Sequence, residues 1–85
     1  MAEVEIYTQS WCPFCTRAKA LLDRKGIAYR EIDIGGSDEL EDEMVRRAGG
    51  RDSVPQVFID GRHVGGSDDL HELDRVGELA RWLQR

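Results

Sequence analysis

A chain of 85 residues with 40% apolar and 34% charged side chains has room for one compact domain and too much apolar content for the disordered class. Its formal charge of −5 arises from 17 acidic and 12 dispersed basic residues, which offers no basic footprint to a nucleic acid and requires a local cation or donor wherever an anionic small molecule binds. No apolar run is long enough for a membrane span, and the segment from Met1 to Glu5 lacks the basic start and apolar stretch of a secretory leader, so a reducing, cytoplasmic setting is expected.

Glu3 to Thr8 mixes β-branched and aromatic residues with charges in near alternation and predicts a first strand, which leads into Cys12 and Cys15. From Pro13 to Lys25 the apolar residues Phe14, Ala18, Leu21 and Leu22 recur at helical spacing, Pro13 suits a first helical position, and Gly26 stands where a helix ends. Ile27 to Ile34 predicts a second strand, parallel to the first through a right-handed crossover. After Gly35-Gly36, the positions Leu40, Met44, Val45 and Ala48 mark a second amphipathic helix closed by Gly49-Gly50. Val57 to Ile59 and Arg62 to Val64 flank Asp60-Gly61, a pair that favours a type I′ hairpin turn. Beyond Gly65-Gly66, Leu70, Leu73 and Val76, then Leu79, Ala80, Trp82 and Leu83, predict one or two closing helices, with Ser67 as N-cap and Asp68 and Asp69 complementing the dipole. The order βαβ-α-ββ-α is that of an α/β domain over residues 1–85, a four-stranded mixed sheet flanked by helices.

The only cysteines are three residues apart. A disulfide closing so short a loop restricts the unfolded chain by about 2 kcal/mol, against about 3 for a fifteen-residue loop, so the pair is a poor staple. Redox chemistry or metal binding remains. Zinc needs four ligands, and His63 and His71 do not stand at the usual spacing from the cysteines or from each other, which favours redox chemistry. At the junction of strand and helix, Cys12 lies by the first unpaired backbone N–H groups, which stabilise a thiolate. Cys15, one turn further on, is placed to attack the Cys12 sulfur once Cys12 carries a mixed disulfide. His63 and His71 are expected to be surface histidines, Arg17, Lys19, Arg24 and Lys25 a solvated face with Arg17 near Cys12, and Trp11 either a substrate-facing or a merely exposed aromatic.

Three segments, Cys12-Pro13-Phe14-Cys15, Ser53-Val54-Pro55-Gln56 and Gly65-Gly66-Ser67-Asp68-Asp69-Leu70, stand in an order that resembles the short dithiol glutaredoxins over nearly the whole chain. The resemblance implies a thioredoxin-like fold and an enzyme that reduces glutathione mixed disulfides and protein disulfides, with glutathione as cosubstrate and no metal or other cofactor. It implies catalysis by Cys12 and Cys15, and glutathione contacts from Gln9, Phe14, Ser53, Val54, Pro55, Gly66, Ser67, Asp68 and Asp69. Among these, the N–H groups of Ser67 and Asp68 hold the γ-glutamyl carboxylate, Asp68 in preference to Asp69 receives the ammonium, and Val54-Pro55 is a cis bond presenting the Val54 backbone to the substrate. Gln9 stands where relatives often carry lysine, and Glu41 where they often carry arginine or glutamine, both at the glycine end of glutathione. Arg17, Arg47 and Arg51 are candidates to compensate for that lost positive charge, and Phe14 keeps the apolar wall of the commoner tyrosine without its hydroxyl. The expected partners are glutathione, glutathionylated proteins and protein disulfides, ribonucleotide reductase among them, acting on a monomer. Two other readings compete: a thioredoxin-type reductant recharged by a flavoprotein, and an iron-sulfur carrier, which the rigid Pro13 disfavours.

Overall fold

Every residue of β1 (Val4–Thr8) is buried, including Glu5 and Thr8, because this strand lies inside the sheet with partners on both edges. The computed structural model describes residues 2–84, leaving Met1 and Arg85 outside the described residues. Along the chain, β1 is followed by α1 (Pro13–Arg24), β2 (Arg30–Asp33), α2 (Asp38–Arg47), β3 (Gln56–Ile59), β4 (Arg62–Gly65), α3 (Ser67–Arg75) and α4 (Glu78–Leu83). The four strands lie in the order β2-β1-β3-β4, with β1 parallel to β2 and the other neighbours antiparallel, as the element order predicts. Among the described residues no helix is long and apolar enough to cross a membrane.

The period of two along the strands divides the core. Val4 and Ile6 of β1, registered against Ile59 and Val57 of β3, join Ala18, Leu21 and Leu22 of α1, Leu70 of α3 and Leu79 of α4. On the other face Tyr7 and Phe58 pack with Met44, Ala48 and Ile34 beneath α2. Phe58 and Tyr7 meet edge to face, with ring centroids 5.7 Å apart.

Two expectations shift and one open alternative resolves. The second strand is shorter than Ile27 to Ile34, because the chain is still closing α1 there: the Ile27 N–H donates to Leu22 O at 2.9 Å, and pairing with β1 begins at Arg30 opposite Glu5. The closing helical region is two helices, parted at Gly77, whose φ of 80° is left-handed. The N-cap of α3 is Gly66 rather than Ser67, which is the first helical residue; Asp69 reaches back to accept the Gly66 N–H at 2.8 Å and so takes over the capping bond. The hairpin turn is as predicted, with positive φ at both Asp60 (51°) and Gly61 (80°).

Among the described residues Glu5 is the one buried carboxylate, 8% exposed, and the α2 side supplies its charge partner. Arg47 donates to Glu5 Oε1 at 2.8 Å and to the Tyr7 hydroxyl at 2.6 Å, with its guanidinium 4.2 Å from the Phe58 ring centroid, while Arg30 holds the second Glu5 oxygen. Tyr7 donates in turn to Glu43. The hydrogen bond from Arg47 outweighs the opposing effect of burial, and together with Arg30 it holds the Glu5 carboxyl below its usual value. A lowered carboxylate pKa contributes stability that is fully present above the unfolded-state value and is lost as pH falls through the folded-state value. Glu5→Gln is therefore expected to cost about 1–3 kcal/mol at neutral pH, by leaving Arg47 with a weaker acceptor. In urea unfolding followed from neutral pH into acid, the gap between parent and variant should narrow below about pH 4.5, where the unfolded-state carboxyl protonates.

Candidate active site

Cys12 is the N-cap of α1, held extended at φ −112° and ψ 103°, with Pro13 as the first helical residue. Its sulfur accepts the Cys15 backbone N–H at 3.1 Å, the place a serine or aspartate oxygen takes in an ordinary cap. Its carbonyl accepts the Thr16 N–H at 3.1 Å and so starts the helix. From the opposite side the thiol donates to Val54 O at 3.7 Å, and Val54-Pro55 is a cis bond, as the resemblance implied. Trp11 turns the chain into the cap with a left-handed φ of 61°, which leaves its indole 100% exposed beside the sulfur.

The two free thiols differ in surroundings. Cys12 is partly exposed, whereas Cys15 is 2% exposed. Burial, and then the adjacent Cys12, push the Cys15 thiol up to about 12, opposed by a backbone hydrogen bond from Gln9 and by the charge of Lys19. At neutral pH Cys15 is a protonated thiol held next to Cys12.

Two depressions lie near Cys12, which lines one of them and contacts the other through Val54. One, a groove of about 220 Å³, is lined by Phe14, Arg51, Ser53, Val54, Pro55, Gly66, Ser67, Asp68 and Asp69. Of the nine predicted glutathione contacts it gathers all but Gln9, and it adds Arg51. Asp69 anchors its wall: one carboxylate oxygen accepts the Gly66 N–H and Arg51 at 3.0 Å, and the Gly66 backbone first, then Arg51, hold the group below the usual carboxylate range. Gly65 permits this approach, since at its φ of 125° a Cβ would stand 2.3 Å from that same oxygen. Asp69 is thus occupied, while Asp68 is exposed and makes no ion pair among the described residues. As the first residues of α3, Ser67 and Asp68 have N–H groups with no carbonyl one turn back to receive them. Beneath the groove Gln56 donates to Ser53 O at 2.9 Å and shares a 2.6 Å hydrogen bond with His63, so the Ser53-Val54 backbone is pinned from the sheet.

The second depression, about 470 Å³, is lined by Gln9, Trp11, Cys12 and Cys15, with Thr8, Lys19, Glu31 and Asp33 among the others. Gln9 therefore stands across Cys12 from the groove, and Glu41, exposed on α2, lines neither depression. Of the three arginines considered as compensating cations, Arg47 is engaged by Glu5 and Tyr7, Arg17 lies over the Phe14 ring at 5.8 Å, and Arg51 alone lines the groove. The histidines are less exposed than expected: burial, then Arg51, lower the His63 pKa, and the His71 ring bonds Ser67 O at 2.8 Å. Neither lines a depression with the cysteines.

Residues 4–64 match the Glutaredoxin family model. The chain is 53% identical over 79 residues to Glutaredoxin 3 of Escherichia coli strain K12, covering 93% of this chain and 94% of that one. The solution structure of glutaredoxin from Brucella melitensis superposes with a TM-score of 0.86 at 51% identity, over 98% of this chain and 89% of that chain. The crystal structure of a buckwheat glutaredoxin-glutathione complex does so with a TM-score of 0.86 at 29% identity, over 96% and 76% respectively. Likeness of this extent, with Cys12 and Cys15 at the amino end of α1, shows that the chain belongs to the glutaredoxin family of thiol-disulfide oxidoreductases, with the thioredoxin-like fold.

Proposed function

We propose that this chain is a glutathione-dependent oxidoreductase that reduces glutathione mixed disulfides and protein disulfides, as a monomer in a reducing cytoplasm and without metal or other cofactor. The observation that carries the reading is the groove beside Cys12, which brings unpartnered helix N–H groups, a free carboxylate and an exposed strand-like backbone to one attacking sulfur. Glutathione lies along it in extended form. Its γ-glutamyl carboxylate rests on the Ser67 and Asp68 N–H groups with Arg51 nearby, its ammonium on Asp68, its cysteinyl backbone along Val54 and Pro55, and its apolar stem on Phe14 and the Ser53 wall. Gly66 and the occupied Asp69 shape that end of the groove, and the glycyl end passes Cys12 toward Gln9, whose amide offers a hydrogen bond without a charge.

Chemically, the Cys12 thiolate attacks the sulfur of bound glutathione in a glutathionylated protein, and the protein thiolate leaves. A second glutathione then attacks the Cys12-glutathione disulfide and restores the thiolate, so this reaction uses one cysteine. A protein disulfide instead leaves Cys12 joined to a bulky chain. There Cys15, tethered one turn away, attacks Cys12 with a large effective-concentration advantage over free glutathione. The disulfide of ribonucleotide reductase is a substrate of this second kind.

Assays of both reactions on serine variants test the reading. Cys12→Ser should abolish both, because a hydroxyl un-ionised at neutral pH cannot replace the thiolate. Cys15→Ser should keep turnover of a glutathionylated peptide with glutathione and glutathione reductase, yet lose most protein-disulfide reduction. Activity remaining in Cys12→Ser, or no turnover by the parent, contradicts the proposal. For the binding mode, Asp68→Asn should raise the KM for the glutathionylated peptide about threefold to fivefold with kcat little changed, the size expected of one exposed charge pair. An unaltered KM would place the ammonium elsewhere.

A further inference from the structure

The 470 Å³ cleft across Cys12 from the glutathione groove has Cys15 in its lining and a single cationic side chain, Lys19, beside the carboxylates Glu31 and Asp33 of β2. Lys19 Nζ lies 3.1 Å from Glu31 Oε2, and Thr8 Oγ1 donates to that same oxygen at 2.7 Å. Thr8 is buried in the central strand, so a continuous set of contacts runs from the interior of the sheet to the ammonium and fixes it in the cleft. Lys19 also follows Cys15 by four residues on α1, the spacing that stacks two side chains on one helix face with about 5–6 Å between Cβ atoms. Here a lysine that sequence patterning assigns to a solvated face shares a cleft with the resolving thiol.

We propose that Lys19, clamped by Glu31 and Thr8, is a positioning residue of the dithiol step: it supplies the positive charge beside which the buried Cys15 loses its proton. This rests on the dithiol mechanism proposed above and assigns its slow participant a partner. In the step, Cys12 is disulfide-bonded to a substrate sulfur. Cys15 releases its proton to solvent, and its sulfur electron pair forms the Cys15-Cys12 bond. The bond from Cys12 to the substrate breaks, and the departing thiolate takes up a proton. Two protein thiols end oxidised and one substrate disulfide reduced, with no further oxidant or reductant.

The groups facing Cys15 define what Lys19 does. On α1 they are Lys19 and Cys12, and Cys12 is uncharged while it carries the mixed disulfide. From β2 come Glu31 and Asp33. Without the ammonium, a forming Cys15 thiolate would keep the Gln9 backbone hydrogen bond but have no positive charge in a cleft that also holds Glu31 and Asp33. The Lys19 charge favours the Cys15 thiolate, and the Cys15 charge favours the Lys19 ammonium, as expected for neighbours of opposite sign.

The step can be read without glutathione. With limiting 5,5′-dithiobis(2-nitrobenzoate), attack by Cys12 releases one coloured thiolate, and attack by Cys15 on the resulting mixed disulfide releases the second. Stopped-flow traces of the parent, Lys19→Met, Lys19→Gln and Lys19→Arg over a range of pH therefore separate the two sulfurs. Lys19→Met and Lys19→Gln should leave the first phase unchanged, slow the second about threefold to fivefold and displace its pH profile upward, the size expected for loss of one nearby charge in a largely aqueous cleft. Lys19→Arg should restore rate and profile. A second phase unchanged in both neutral variants, or both phases slowed alike in every folded one, overturns the proposal. Far-ultraviolet circular dichroism certifies the fold of each variant. Parent turnover with glutathione, measured separately, reports on the glutathione reading alone, so the two failures are distinguishable.

Discussion

The hydrogen bond from the Cys15 backbone N–H to the Cys12 sulfur, at 3.1 Å, is the interaction on which the rest of the site depends. It makes a sulfur do the work of a helix cap, so the group that caps α1 is also the nucleophile of the proposed mechanism. The same residue that donates this N–H carries the second thiol, which helix geometry turns inward against the sheet, where it is 2% exposed. One turn of helix therefore produces two sulfurs of unlike chemistry: Cys12 open to substrate and to backbone donors, Cys15 withheld from water as a thiol of high proton affinity. A dithiol reductant needs that difference, because two equally reactive thiolates would not act in a set order.

Holding the cap in place is a task for the sheet. β1 delivers the chain to Cys12, and its residues are tied down on both faces, by the aliphatic core under α1 and α3 and by the Glu5-Arg47-Tyr7 network under α2. β3 brings the opposing wall, since Gln56 lies at its start and fixes the Ser53-Val54 backbone that faces the sulfur. The charges divide in a similar way. Arg51 and Asp69 form the frame of the groove and leave Asp68 free, whereas Lys19 and Glu31 lie on the other side of the dithiol. Two of the twelve cations, Arg51 and Lys19, thus stand beside the two depressions on defined carboxylate partners.

Much of this was legible in the sequence because it rests on local rules. Helical spacing, Pro13 and the Asp60-Gly61 pair located α1 and the hairpin, and the strand-to-helix junction located Cys12 at the cap. Motif order also marked eight of the nine groove residues. What escaped depends on contacts distant along the chain. Ser67 looks like an N-cap until Asp69 is seen to bond Gly66, and Ile27 looks like strand until its N–H is found closing α1. Lys19 looks like a surface cation and Arg47 like a candidate glutathione contact, and only the folded structure reveals Glu31 and Glu5 as their partners. Arg51 lies in a loop with no periodic pattern, so nothing local announces it as part of the groove. Gln9, expected by analogy at the glycyl end of glutathione, lines the second cleft rather than the groove.

Helix position and burial against the sheet together make the two sulfurs chemically unequal, and differential alkylation measures that inequality directly. The reduced, folded protein would be exposed briefly to iodoacetamide at neutral pH, then unfolded and labelled with a heavier isotopic form of the reagent, and the ratio at each cysteine read by peptide mass spectrometry. Cys12 should carry the first label almost completely while Cys15 carries the second. Comparable first labelling of Cys12 and Cys15 would contradict the account, because the buried thiol would then be as available and as reactive as the capping one.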